Sequence, residues 1–230
     1  MKTRGVPLRL RNAPKTSGVS SAELALLPRL PDTGQEITEI AKVLKADAAD
    51  IFLQTKANEK AVLGGDLSNR RVVMFATHGL VPGELDGLTQ PALALTTPDL
   101  ADGNGDGLLA MDEILSLKLD ADWVVLSACN TAAGEGAGSE AVSGLGRAFF
   151  YAGARALLVS NWPVETVSAR MLMTDLFRRQ VADPKLGKAE ALRQAMLALA
   201  DGPGSLDATG KPLYAHAHPL FWAPFVIVGD

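Results

Sequence analysis

The chain has one cysteine in 230 residues, so it can form no internal disulfide, which suits a reducing, cytoplasmic setting. It has no apolar stretch near the roughly 20 residues that a membrane-spanning helix needs. Its basic N-terminus is followed by no hydrophobic signal core. It lacks an excess of positive charge: 22 Lys and Arg against 26 Asp and Glu leave a net charge of −4, no electrostatic footprint for nucleic acid. No Gly-x-Ser-x-Gly elbow is present, which argues against a serine α/β hydrolase, and no repeat of fixed period is visible. What is plentiful is apolar side chain. At 47% hydrophobic and 21% charged residues, the chain can bury a large core as a single α/β unit.

Residues 1–30 are basic, proline-containing and weakly patterned, and read as a separate N-terminal segment ahead of a domain over residues 31–230. Asp32 or Thr33 offers an N-cap for a helix whose inward positions are Ile37, Ile40, Ala41 and Leu44. Ile51–Leu53 reads as a short strand and 57–63 as a short helix. Between Val81 and Gly107, Gly, Pro and Asp dominate, and only 92–95 resembles a strand. Apolar runs at 71–77, 123–128, 156–160 and 225–228 read as buried strands. Helices are expected at 110–116, 139–152, 167–181 and 188–200, with Met171, Leu172, Leu176, Ala189, Leu192 and Met196 turned inward. Gly144 and Gly146 inside one helix imply close packing against the sheet. Strands alternating with helices predict parallel pairing with helices on both faces.

Two of these strands end in reactive side chains. The run 71–77 leads into His78-Gly79, and 123–128 leads into Cys129 and the glycine-rich stretch 130–138. Reacting groups in open parallel sheets lie beyond the carboxyl ends of the strands. One rim therefore receives an imidazole and a thiol, the minimum for a thiol nucleophile and its base. The two are 51 residues apart (129 − 78), close to the interval of about 50 found in caspases. The backbone N–H groups of Gly79 and Cys129 are the natural oxyanion donors. Taken singly, a buried core thiol and a strand-end histidine are the blander readings; their joint placement favours chemistry.

Five motifs then carry a family resemblance: Ala76-Thr77-His78-Gly79, Leu126 through Thr131, Gly134-Glu135-Gly136, Asn161-Trp162-Pro163-Val164, and the closing stretch from His218 to Asp230. Together they resemble the CHAT domain, a caspase-like family often fused to tetratricopeptide repeats. The resemblance runs from about Leu30 to the last residue. It implies a caspase-like three-layer α/β sandwich with a mostly parallel central sheet, and cysteine endopeptidase activity, a hydrolase acting on a protein substrate. It implies His78 and Cys129 as the dyad, and a repeat domain or regulatory partner. The rival expectation is a non-catalytic caspase-like interaction module. Family members usually carry an apolar first strand, for which this chain offers only Val6 to Leu10.

No cofactor is required by this chemistry, but calcium enters through a second pattern. Asp102, Asn104 and Asp106 with Gly107 and Glu113 match a calcium loop at its diagnostic positions, although no helix leads into it. The alternative is a solvated turn before the next helix. His216 and His218 lack metal-ligating companions, and His218 reads as a local cap. On the reactive rim, Ser160, Trp162 and Glu165 are candidates for substrate specificity.

Overall fold

The computed structural model describes residues 21–101, 105–127, 137–162, 164–206 and 209–229. The apolar runs form its central sheet: β1 (Val72–Phe75), β5 (Trp123–Leu126), β6 (Ala156–Ser160) and β9 (Phe225–Gly229), in the order β1-β5-β6-β9. β1, β5 and β6 run parallel, with Phe75 opposite Leu126 and Val125 opposite Leu158. β9 is antiparallel to β6 and pairs along its whole length, so the central sheet is mostly parallel, as expected, with one antiparallel edge. The buried strands β5 and β6 are apolar without alternation, as strands covered on both faces must be.

Helices cover both faces. On one side α2 (Thr33–Leu44), α6 (Thr166–Ala182) and α7 (Lys188–Ala200) pack over Trp123, Val125 and Leu158. On the other, α4 (Met111–Ser116) and α5 (Ala137–Ala152) pack over Val73, Phe75, Val124 and Leu157, with Phe149 fully buried against Phe75. The α5 glycines behave as expected. A Cβ on Gly146 would lie 3.1 Å from Leu157 Cδ1, and one on Gly144 would lie 3.2 Å from Met111 Sδ. Leu172, Leu176 and Leu192 face the core as their spacing predicts, whereas Met171 and Ala189 are exposed.

Other local expectations meet tertiary structure. Asp32 stands before α2, but its carbonyl, not its side chain, takes the first helical N–H groups, from Gln35 and Glu36. Ile51–Leu53 is extended yet pairs with no strand among the described residues. α3 (Glu59–Leu63) is shorter than expected because Asn58 caps it, accepting from Ala61 N–H at 2.9 Å. Between β1 and α4 a second sheet joins the expected strand at 92–95, observed as β3 (Ala92–Ala94), to two strands too short to stand out in sequence, β2 (Gly79–Leu80) and β4 (Leu108–Ala110). A hairpin of β7 (Ser205–Leu206) and β8 (Pro212–Tyr214) precedes β9. The short helix α1 (Ser21–Leu24) is tied to the small sheet by Leu24, which is buried among Leu80, Leu85 and Leu108. Glu23 reinforces it by accepting from Asp86 N–H. Among the described residues no helix is long and apolar enough to cross a membrane.

Candidate active site

β1 ends at Phe75, and three residues later the chain reaches His78 and turns into β2. Two hydrogen bonds to β3 fix that turn: the Thr77 hydroxyl donates to Ala94 O, and Ala94 N–H donates to His78 O at 2.8 Å. In antiparallel pairing a bonded pair at 78 and 94 makes Gly79 and Leu93 the non-bonded pair. Gly79 N–H therefore points away from β3. The half-buried imidazole has a partner of its own, Pro28 O, 2.7 Å from Nε2. A carbonyl can only accept, so Nε2 carries the proton and Nδ1 of the neutral ring keeps its lone pair. In that form Nδ1 is the ring nitrogen able to accept a hydrogen bond or a proton.

The end of β5 is held as firmly. Ser127 N–H donates to Phe75 O at 2.9 Å, extending the parallel ladder one residue past the strand. Its hydroxyl donates to both carboxylate oxygens of Glu36 on α2, at 2.9 and 3.1 Å. Both side chains are buried, Glu36 at 4% exposure. Burial pushes the Glu36 carboxyl up to about 7, against the opposing pull of the Ser127 hydrogen bond and the Arg170 charge. Arg170, on α6, itself pairs with Glu39 at 2.7 Å. Two residues after Ser127 comes Cys129, which lies outside the described residues with the rest of 128–136. In sequence, His78 and Cys129 each stand three residues past the registered pair of Phe75 and Leu126.

A groove of about 1830 Å³ follows the open edge of β1. Pro28, Leu30 and His78 stand at one end, Lys188 and Glu190 at the other, with Phe52 and Met74 among its walls. The remaining rim residues are more structural in their contacts. Ser160 is fully buried at the end of β6. The Trp162 indole N–H is buried without a hydrogen-bond partner among the described residues. Glu165 caps α6, accepting from Val167 and Ser168 N–H at 3.1 and 2.8 Å. Burial works to raise its carboxyl, but these bonds and the Tyr214 hydroxyl outweigh it and hold Glu165 below the usual range.

The acidic loop is described only in part, since Asp102 and Asn104 lie outside the described residues. Its remaining carboxylates have protein partners: Asp106 accepts from Leu108 N–H, and Glu113 from Ala110 N–H, each at 2.9 Å. Glu59, the first residue of α3, accepts from Gly107 N–H and sits where a Gly105 side chain would be. Burial pushes Glu59 and Glu113 up, and the Asp106 charge adds to both shifts. Among the described residues no group of three or more His, Cys, Asp or Glu is placed to hold a metal ion. His218 is the local cap expected of it, accepting from Leu220 N–H at 3.1 Å. His216 is fully buried, its Nε2 3.0 Å from Ser205 Oγ.

Sequence reasoning missed two site residues. Pro28 contributes a backbone carbonyl, which every residue has, so its identity carries no signal. Glu36 reads from sequence as an ordinary first-turn acid.

The family model described as the CHAT domain matches residues 3–230, and the chain belongs to that family. Mouse tetratricopeptide repeat protein 28 is 29% identical over 127 residues, covering 54% of this chain. The match covers only 4% of that relative's length.

Proposed function

Starting from membership of the CHAT domain family, we propose that this chain is a cysteine endopeptidase domain with a caspase-like sandwich and a His78–Cys129 dyad. The observation that carries the reading is the Pro28 carbonyl on His78 Nε2, because it leaves Nδ1 as the only ring nitrogen able to accept the thiol proton. A thiol is a poor nucleophile until a base takes its proton. Proton transfer from Cys129 Sγ to His78 Nδ1 gives thiolate and imidazolium. The thiolate attacks the peptide carbonyl, and the charge that develops on oxygen is met by the N–H groups of Gly79 and Cys129. The imidazolium returns its proton to the leaving amine as the C–N bond breaks, leaving a thioester on Cys129. His78 then draws a proton from water as the water oxygen attacks the thioester; the C–S bond breaks to release the acid product, and His78 returns the proton to the sulfur, restoring the thiol.

Of the three specificity candidates, Trp162 and Glu165 are partly exposed and keep that role in the proposal, whereas Ser160 is fully buried and does not meet substrate. A tetratricopeptide-repeat domain, the feature named in the mouse relative, is the proposed regulatory partner. A reducing cytoplasmic setting would keep the single thiol free. The test is digestion of a proteome-derived peptide library, read by mass spectrometry of new N-termini. The wild-type chain should generate cuts that Cys129→Ala abolishes. Identical peptide sets from the two would leave a non-catalytic interaction module as the better account.

A further inference from the structure

One short stretch touches both His78 and Ser127, the residue just past the end of β5. Pro28 supplies the carbonyl that orients His78, and eight residues later Glu36 receives the Ser127 hydroxyl at the end of the nucleophile's strand. The stretch between them is internally tied. Thr33 donates to Leu30 O from its hydroxyl at 2.8 Å, and Glu36 N–H donates to Asp32 O at 3.1 Å. Its far ends are anchored in different parts of the fold: Leu24 in the core of the small sheet, Ile40 under α6 and α7.

We propose that Glu36 is a positioning residue for the thiol: through Ser127 Oγ its buried carboxyl fixes the end of β5, from which Cys129 follows two residues later. The inference rests on the dyad reading given above. Stability alone is a weak reason for such a group, since a buried carboxyl is costly to desolvate and an apolar side chain would fill the space at less expense. Position explains it better. Ser127 already gives its N–H to β1, and the Glu36 bond adds a side-chain restraint from a different layer. Displacing a reacting group by about 1 Å can cost on the order of a hundredfold in rate. The carbonyl and the carboxyl thus hold the two strand ends from one continuous segment.

The test is the second-order rate at which iodoacetamide alkylates Cys129 in the intact chain, well below the melting temperature, with circular dichroism to check the fold. Wild type, Glu36→Ala, Glu36→Gln, Ser127→Ala and the Glu36→Ala/Ser127→Ala double variant are compared. Loss of either partner should slow alkylation about tenfold, and the double variant should be no slower than the singles, because one hydrogen bond is removed in each case. Glu36→Gln keeps a carbonyl acceptor for Ser127 and should restore the rate, a recovery that a general loss of stability would not produce in this assay. Wild-type rates in Glu36→Ala and Ser127→Ala, or losses that multiply in the double variant, would overturn the inference while leaving the dyad standing. A wild-type thiol no faster than free cysteine would instead sink the dyad, and this inference with it.

Discussion

Raising the pH from 4.5 to 8 should destabilise the chain through Glu36, and Glu36→Gln should remove that loss. The carboxyl titrates near its ordinary 4.5 when the chain is unfolded and near 7 when folded, because burial favours the neutral form. Below about pH 4.5 both states carry the proton and no penalty arises. Between 4.5 and 7 the unfolded chain releases a proton that the folded chain keeps, so stability falls as pH rises. Above 7 the penalty is complete. The rise from 4.5 to about 7 corresponds to about 3 kcal/mol. In a chain of this size, each 1 kcal/mol moves Tm by about 2–4 °C, so the loss is about 6–12 °C. Differential scanning calorimetry of wild type and Glu36→Gln at several pH values and fixed ionic strength isolates the effect. Glu59 and Glu113, whose raised carboxyls act in the same direction, are present in both proteins and cancel in the difference. The difference in Tm should grow in favour of the glutamine variant through this window and level off above pH 7. A difference that stays flat from pH 4.5 to 8 would refute the reasoning.

Other perturbations test other parts of the molecule. Phe149→Ala removes a fully buried ring packed against Phe75 and should cost about 3–5 kcal/mol in chemical denaturation; a loss below 1 kcal/mol would mean that the α5 face is not closely packed. Gly153 adopts φ +112°, and a Cβ there would lie 2.1 Å from Leu119 O, so Gly153→Ala should lower Tm by several degrees, and an unchanged Tm would contradict this backbone. The acidic loop should show no saturable heat with micromolar calcium, because Glu59 already takes Gly107 N–H and Glu113 takes Ala110 N–H. Saturable binding removed by both Asp106→Ala and Glu113→Gln would establish it as a calcium site.

Much of the sheet was legible in the sequence because β5 and β6 are buried on both faces and therefore apolar without alternation up to Ser160, the last residue of β6. The same property hides direction. An apolar run such as 225–228 reads alike whether it pairs parallel or antiparallel, and only the hairpin before it brings β9 back along β6. Ile51–Leu53 misled for a related reason, since three apolar residues satisfy a strand pattern whether or not a neighbouring strand is there to pair. β2, β4, β7 and β8 are two or three residues long, too short for alternation to register. At the site, His78 was visible because a rare side chain stands at the end of a strand. Glu36 was not, because its burial comes from meeting Ser127, 91 residues away. Helix periodicity likewise placed Met171 inward beside Leu172, but the buried stripe of α6 runs through Leu172, Met173, Leu176 and Phe177 and leaves Met171 outside it.

The account stands or falls on whether His78 activates Cys129. The most direct measurement is covalent labelling of the folded chain by a peptidyl acyloxymethyl ketone, followed by intact mass and peptide mapping in wild type and His78→Ala. Wild type should gain one adduct, on Cys129, and His78→Ala should form it at least about tenfold more slowly, within the range that general-base catalysis supplies. A wild-type chain that stays unlabelled while folded, or a His78→Ala chain labelled equally fast, would contradict the proposed dyad.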